Sequence, residues 1–192
     1  MAPRYDDDWI ASMMDLDKRV GTKPPEEFLI RSGLNTGDTV VDLGCGPGLF
    51  TIAAANVVGP TGVVYAVETE QKMLDVVDQK ATDLGLGQIK ACFSAGDKLP
   101  LEGGIADLAI AALVVHFRDG FEARVDMVRD IARVTKPDGR ILLIEWVTDV
   151  GEGGHHRIPQ DDALEILKEA GLSPGKPEPL GEKQYLILSG RG

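Results

Sequence analysis

Val40-Val41-Asp42-Leu43-Gly44-Cys45-Gly46-Pro47-Gly48-Leu49-Phe50 begins as a mostly β-branched apolar run, passes an acid and three alternating glycines, and enters a helical pattern. The spacing predicts a strand over Thr39–Leu43, a tight turn, and a helix over Leu49–Val58. Glycine permits positive φ and presents no Cβ, so a ligand can lie against such a turn. In open α/β sheets ligands bind beyond the carboxyl ends of the strands. A dinucleotide fingerprint, G-x-G-x-x-G, would need its third glycine at 49, where Leu49 stands. A phosphate-binding P-loop is excluded because no Gly-Lys-Ser/Thr follows. Asp42 at the head of the turn favours a cationic ligand group and opposes a pyrophosphate.

Outward from this stretch, strands and helices alternate. Strands are expected at Gly62–Val67, Ile89–Phe93, Asp107–Val115, Arg140–Trp146 and Gln184–Ser189. Helices are expected at Gln71–Leu84, Phe121–Val134 and Pro159–Ala170, the first stopped by Gly85 and the last by Gly171. Lys136-Pro137-Asp138-Gly139 reads as a turn. A sixth strand falls in Ser173–Leu180, made irregular by Pro174, Pro177 and Pro179. Upstream, Pro24–Gly33 reads as a proline-initiated helix, preceded by a short helix in Asp8–Val20. This alternation predicts βαβ units and a mainly parallel sheet.

The chain has 192 residues, which fits one domain over 1–192, with 1–36 as a helical cap on a core, 37–192. Acids outnumber bases by 31 to 20, a net charge of −11, so a nucleic-acid partner is disfavoured and a small-molecule partner is expected. Cys45 and Cys92 are too few for a structural zinc site, and no metal is expected. The opening MAPRYDDDWI has neither a basic leader nor an apolar core, and no apolar run spans a membrane. A cytoplasmic location is the expectation.

The order Asp42, Gly44, Gly46, Gly48 resembles motif I of the class I S-adenosylmethionine-dependent methyltransferases, and the likeness extends over nearly the whole chain. That family has a three-layer Rossmann-like α/β fold with a seven-stranded, mostly parallel sheet whose last strand is antiparallel. The resemblance implies S-adenosyl-L-methionine as cofactor. Gly44, Gly46 and Gly48 would admit it to the backbone of the loop that also holds Cys45, and Asp42 would orient its amino group. Glu68, ending the second strand, would accept from both ribose hydroxyls, since a carboxylate suits a vicinal diol. Asp97, in Gly96-Asp97-Lys98-Leu99-Pro100, would accept from the adenine amino group, with Lys98 and Leu99 bordering the ring. The spacer there is one residue shorter than the family's.

Methyl transfer from a sulfonium needs alignment and exclusion of water, with no enzyme nucleophile. The resemblance therefore implies in-line transfer to a small molecule; protein or RNA transfer, or another chemistry of the cofactor, are the alternatives. His116, at the carboxyl end of the fourth strand, is the candidate general base. Arg157, beside His155 and His156 after a glycine-rich connection, is a candidate anchor for an anionic acceptor. Trp146 is a candidate pocket wall.

Overall fold

The computed structural model describes residues 7–15, 24–96, 98–147 and 157–191. Two short helices come first, α1 (Asp7–Met13) and α2 (Pro25–Arg31). Then follow β1 (Thr39–Leu43), α3 (Leu49–Val58), β2 (Val63–Glu68), α4 (Gln71–Leu84), β3 (Ile89–Phe93) and β4 (Ala106–Ala112). The chain closes with α5 (Phe121–Val134), β5 (Thr135–Trp146), α6 (Gln160–Glu169), β6 (Leu172–Pro174), β7 (Glu178–Leu180) and β8 (Gln184–Arg191). The expected helix over Asp8–Val20 runs only to Met13; residues 16–20 lie outside the described residues.

Across the sheet the order is β3-β2-β1-β4-β5-β8-β6, and β7 also pairs with β8. The first five strands are parallel, and β8 is antiparallel to β5. β6 and β7 pair with different ends of β8, so the expected sixth strand is one edge position split into two short pieces. The intervening stretch holds Pro177, and proline cannot donate to a ladder. This is the expected seven-position sheet.

Alternation along the strands supplies two cores. Val40, Ala66, Leu108, Ile110, Leu142 and Ile144 face α2, α3 and α4. Val41, Val67, Ala109, Ala111, Ile141 and Leu143 face α5 and α6. A strand covered on both faces is apolar at every position, which is why the central strands read as continuous apolar runs.

Two boundaries differ from the sequence expectation. The strand predicted to reach Val115 ends at Ala112, because Leu113 adopts a left-handed conformation, φ 56°. A 3₁₀ turn, Val115–Phe117, follows. Lys136–Gly139 is no free turn but a bulge within β5, where the register with β4 slips between Ala106 and Leu108. Asp107 orders it: one carboxylate oxygen accepts from Lys136 Nζ at 2.7 Å, and the other from the Thr39 backbone N–H at 2.9 Å. Arg140, just after the bulge, donates to the Ser32 carbonyl and so ties α2 to the sheet.

Candidate active site

The strand order reverses between β1 and β4, and the carboxyl ends of β1, β2, β4 and β5 border one cavity of about 770 Å³. Of the expected cofactor residues, Gly44, Gly46, Glu68, Lys98 and Leu99 line it; Asp42, Cys45 and Gly48 lie behind the wall. Asp97 lies outside the described residues.

The three glycines do different work. All have positive φ: 65° at Gly44, 51° at Gly46 and 92° at Gly48. A Cβ on Gly44 would stand 2.6 Å from Val114 Cγ2, so this glycine lets the β1 and β4 ends approach each other. Gly46 faces the cavity, where its nearest neighbour is the flexible tip of Met13 from α1. Gly48 starts α3 and packs against Val77 of α4.

Glu68 organises the loop. Its Oε2 accepts from the Gly46 N–H at 3.1 Å. Its Oε1 accepts from the Thr69 N–H, the Thr69 hydroxyl and the Glu70 N–H at 2.6, 3.1 and 3.2 Å. Oε1 is thereby saturated and Oε2 retains capacity. Grasping a diol with both oxygens requires the Thr69 side chain to turn away. The loop also hangs on β2 through Gly44 N–H and Cys45 N–H, both donating to the Val67 carbonyl.

Asp42 is buried and accepts from the Thr51 hydroxyl of α3 at 2.5 Å. Burial, reinforced by the charge of Glu68, raises its pKa to about 7 against the opposing Thr51 hydrogen bond. Burial, with the nearby Asp42 and Glu68 charges, pushes the Cys45 thiol up, so it is no nucleophile at neutral pH.

The loop after β3 is pinned from α5. The Leu99 N–H donates to Asp130 at 2.5 Å, while Arg133 donates to Asp130 and to the carbonyls of Leu99 and Leu101. Arg118 donates to the Gly96 carbonyl. None of these clamps was foreseen from sequence; the i, i+3 spacing of Asp130 and Arg133 on a helix was the available signal.

On the remaining wall, His116 is buried, lines the cavity, and sets its Nδ1 2.7 Å from Glu145 Oε2. Glu145 was missed in the sequence, although one acid inside the apolar run Ile141-Leu142-Leu143-Ile144-Glu145-Trp146 was its mark. Trp146 lines the cavity and also packs on the α2–α4 core. Arg157 donates to the Val147 carbonyl at 2.7 Å and so joins the two ends of segment 148–156; His155 and His156 lie outside the described residues. Among the described residues no cluster could hold a metal ion, and no helix is long and apolar enough to cross a membrane.

A reversed parallel sheet with a glycine turn after β1 and an acid ending β2 defines a Rossmann-like domain for a nucleoside-bearing cofactor. A family model described as a methyltransferase domain matches residues 34–171, and the chain belongs to that family, the class I S-adenosylmethionine-dependent methyltransferases. It is 32% identical over 145 residues to a demethylmenaquinone methyltransferase of Lactobacillus johnsonii, covering 76% of this chain and 57% of the relative. It is 33% identical over 116 residues to a ubiquinone/menaquinone biosynthesis C-methyltransferase of Pseudomonas savastanoi, covering 60% and 44%. The chain thus spans about half the length of the curated relatives it matches. A crystal structure of a SAM dependent methyltransferase from Aquifex aeolicus superposes with a TM-score of 0.86 at 25% identity, covering 97% of this chain and 98% of that one.

Proposed function

We propose that the protein is an S-adenosylmethionine-dependent methyltransferase acting on a small-molecule acceptor. The observation that carries this reading is the cavity itself. Its volume of about 770 Å³ lies toward the upper end of small-molecule sites, roughly 300–1,000 Å³, and leaves room for an acceptor beside a cofactor. The residues present fit the cofactor. The Gly46 backbone forms a cradle that a larger residue would fill, and Glu68 offers acceptor capacity at Oε2. Leu99 provides an apolar border for a base. Asp42 acts from beneath, holding α3 to β1 through Thr51.

When bound, the cofactor supplies an electrophilic methyl group on a sulfonium. The chain's part is to orient, to exclude water and to handle a proton. Met13 of α1 reaches the cavity, so α1 contributes to its cover. The curated relatives are quinone methyltransferases by name, and this family context supports a small acceptor over a macromolecule. The net charge of −11 supports the same choice against nucleic acid. Cys45 and Cys92 are free thiols, in keeping with a cytoplasmic site of action.

Calorimetry with S-adenosylmethionine, its demethylated product and NAD tests the cofactor, and radiolabelled methyl transfer into a small-molecule extract tests the acceptor class. Micromolar binding of the first two with weak NAD binding is expected. Stronger NAD binding would sink the assignment, and label appearing only in protein or RNA would replace the acceptor.

A further inference from the structure

On the reading that the cavity holds S-adenosylmethionine, we propose that the Thr69 hydroxyl competes with the cofactor's ribose for Glu68, so that the chain reads one ribose hydroxyl strongly and the other weakly. The two oxygens of Glu68 are unequally loaded. Oε2 accepts from the Gly46 N–H at 3.1 Å. Oε1 accepts from the Thr69 N–H at 2.6 Å, the Thr69 hydroxyl at 3.1 Å and the Glu70 N–H at 3.2 Å. A carboxylate oxygen offers about two lone-pair sites, so Oε1 takes a new donor only by giving one up.

Of those donors, the hydroxyl is the one that can leave. The Glu70 carbonyl accepts from the Met73 N–H at 3.0 Å and so begins α4, and the Glu70 backbone ahead of the helix is extended, φ −107° and ψ 108°. Moving either amide off Glu68 would disturb that helix start. The Thr69 hydroxyl turns away by a single rotamer change. Thr69 is exposed and lines the cavity, so its hydroxyl meets water once it has turned. Its methyl faces the loop after β3, where a Cβ on Gly96 would stand 3.7 Å from Thr69 Cγ2. Thr69 thus lies between Glu68 and the loop that holds Leu99.

The two ribose hydroxyls therefore count unequally. One that donates to Oε2 adds a hydrogen bond to a charged acceptor. One that donates to Oε1 replaces the bond from Thr69, and an exchange of like bonds contributes little. The other charged groups of the wall do not make this exchange. Arg118 holds Gly96, and Asp130 holds Leu99 and Arg133. Glu70 and Lys98 line the cavity, and their side chains make no hydrogen bond or ion pair among the described residues. A hydroxyl that went to the Glu70 carboxylate would displace nothing, and the Thr69 hydroxyl would then not matter. Lys98 only donates, and its charge acts alike on ligands that differ by one hydroxyl.

Calorimetry on the full chain tests this with S-adenosylmethionine, its demethylated product, and the 2′-deoxy and 3′-deoxy analogues of that product. In the wild type one analogue is expected to bind within about threefold of the product, and the other to lose on the order of 10–100-fold. Thr69→Val keeps the shape and removes the donor. It is expected to bind the product on the order of 3–10-fold more tightly than wild type, and to show no gain on the tolerated analogue. Thr69→Ser keeps the hydroxyl and is expected to stay within about twofold of wild type on every ligand. Glu70→Gln and Lys98→Met are expected to shift the product and both analogues by one common factor. Equal loss on both analogues in the wild type, or loss on neither, overturns the proposal, and so does Thr69→Val without a gain. Discrimination between the analogues that collapses in Glu70→Gln moves the second hydroxyl to Glu70 and overturns it as well. A chain that binds neither S-adenosylmethionine nor its product overturns the cofactor reading itself, and the proposal with it.

Discussion

Residues 39–68 form a β-α-β unit, and at its cavity end the amides of Gly46, Thr69 and Glu70 are all held by a single carboxylate, Glu68. The wall around His116 is made differently. It draws Met13 from α1, His116 from the end of β4 and Trp146 from β5, with Glu145 behind it and Arg157 closing the next segment. The first half is written contiguously and depends on φ angles that only glycine adopts without strain. The second half is assembled from distant positions and depends on side chains. A cofactor shared across a family calls for the first kind of construction, and an acceptor that varies calls for the second.

The largest expected effect sharpens the first half. Asp42 has a pKa raised from 3.8 to about 7, so the folded chain holds a proton that the unfolded chain has released. Its contribution is fully present below pH about 4 and is lost as pH rises toward 7, a change of about 4 kcal/mol. Denaturant unfolding of Asp42→Asn should therefore show a stability advantage over wild type that grows from pH 4 to pH 7.5. An advantage independent of pH would mean that Asp42 is ionised throughout.

Gly46→Val attacks the same half where it faces the cavity. Its φ of 51° costs a branched residue about 1–2 kcal/mol, and the added atoms occupy the cradle. Because the nearest obstacle is the flexible tip of Met13, the fold should survive. Affinity for S-adenosylmethionine should fall on the order of 100-fold by calorimetry, about 2.7 kcal/mol, with circular dichroism unchanged. Affinity close to wild type would place the ligand elsewhere.

The contrast between the halves is also a contrast in legibility. α3, α4, β3 and α5 lie where their sequences predicted, residue for residue, because each end is marked locally. Gly85, for example, closes α4 in the left-handed conformation. The bulge at Lys136–Gly139 was not legible, because it depends on Asp107, about 30 residues upstream, reaching Lys136 and Thr39 together. The split of the edge strand depends on which ends of β8 find partners. In the site, the spacing of the glycines pointed to the cavity, but it could not say that Gly48 serves packing against Val77 while Gly46 faces the ligand. His116 was legible as a histidine at a strand end; its partner lies 29 residues away on another strand, and no local rule pairs them.

Glu68→Gln tests the carboxylate that holds the first half together. An amide can satisfy the three donors at Oε1 with its oxygen, but its NH₂ then meets the Gly46 N–H, donor against donor. Losing a hydrogen bond to a charged group costs about 1.5–3 kcal/mol, so cofactor affinity should fall on the order of 10–100-fold. Glu68→Asp keeps two charged acceptors and should lose less. A titration in which glutamine binds as well as wild type would remove Glu68 from the site.

Arg157→Ala should have the smallest effect, and it bears on the second half alone. The guanidinium donates to the Val147 carbonyl at 2.7 Å, which commits one of its five donors among the described residues. Two roles follow from this geometry, and they part experimentally. As a clasp on segment 148–156, Arg157 contributes about 1 kcal/mol through one hydrogen bond, and its loss lets the two ends of the segment separate. Acceptor KM then rises a few-fold, on the order of 0.5–1 kcal/mol, by the same factor for neutral and anionic acceptors, while cofactor affinity stays put. As an anchor for an anion, it would raise KM far more for a charged acceptor than for a neutral one, and added salt would shrink the difference. The observed contact favours the clasp, because the arginine is half-buried against its own backbone and does not border the cavity. Steady-state kinetics on paired neutral and carboxylated acceptors decide it. A charge-selective rise would move Arg157 into the acceptor wall and make that wall reach across the whole connection between β5 and α6.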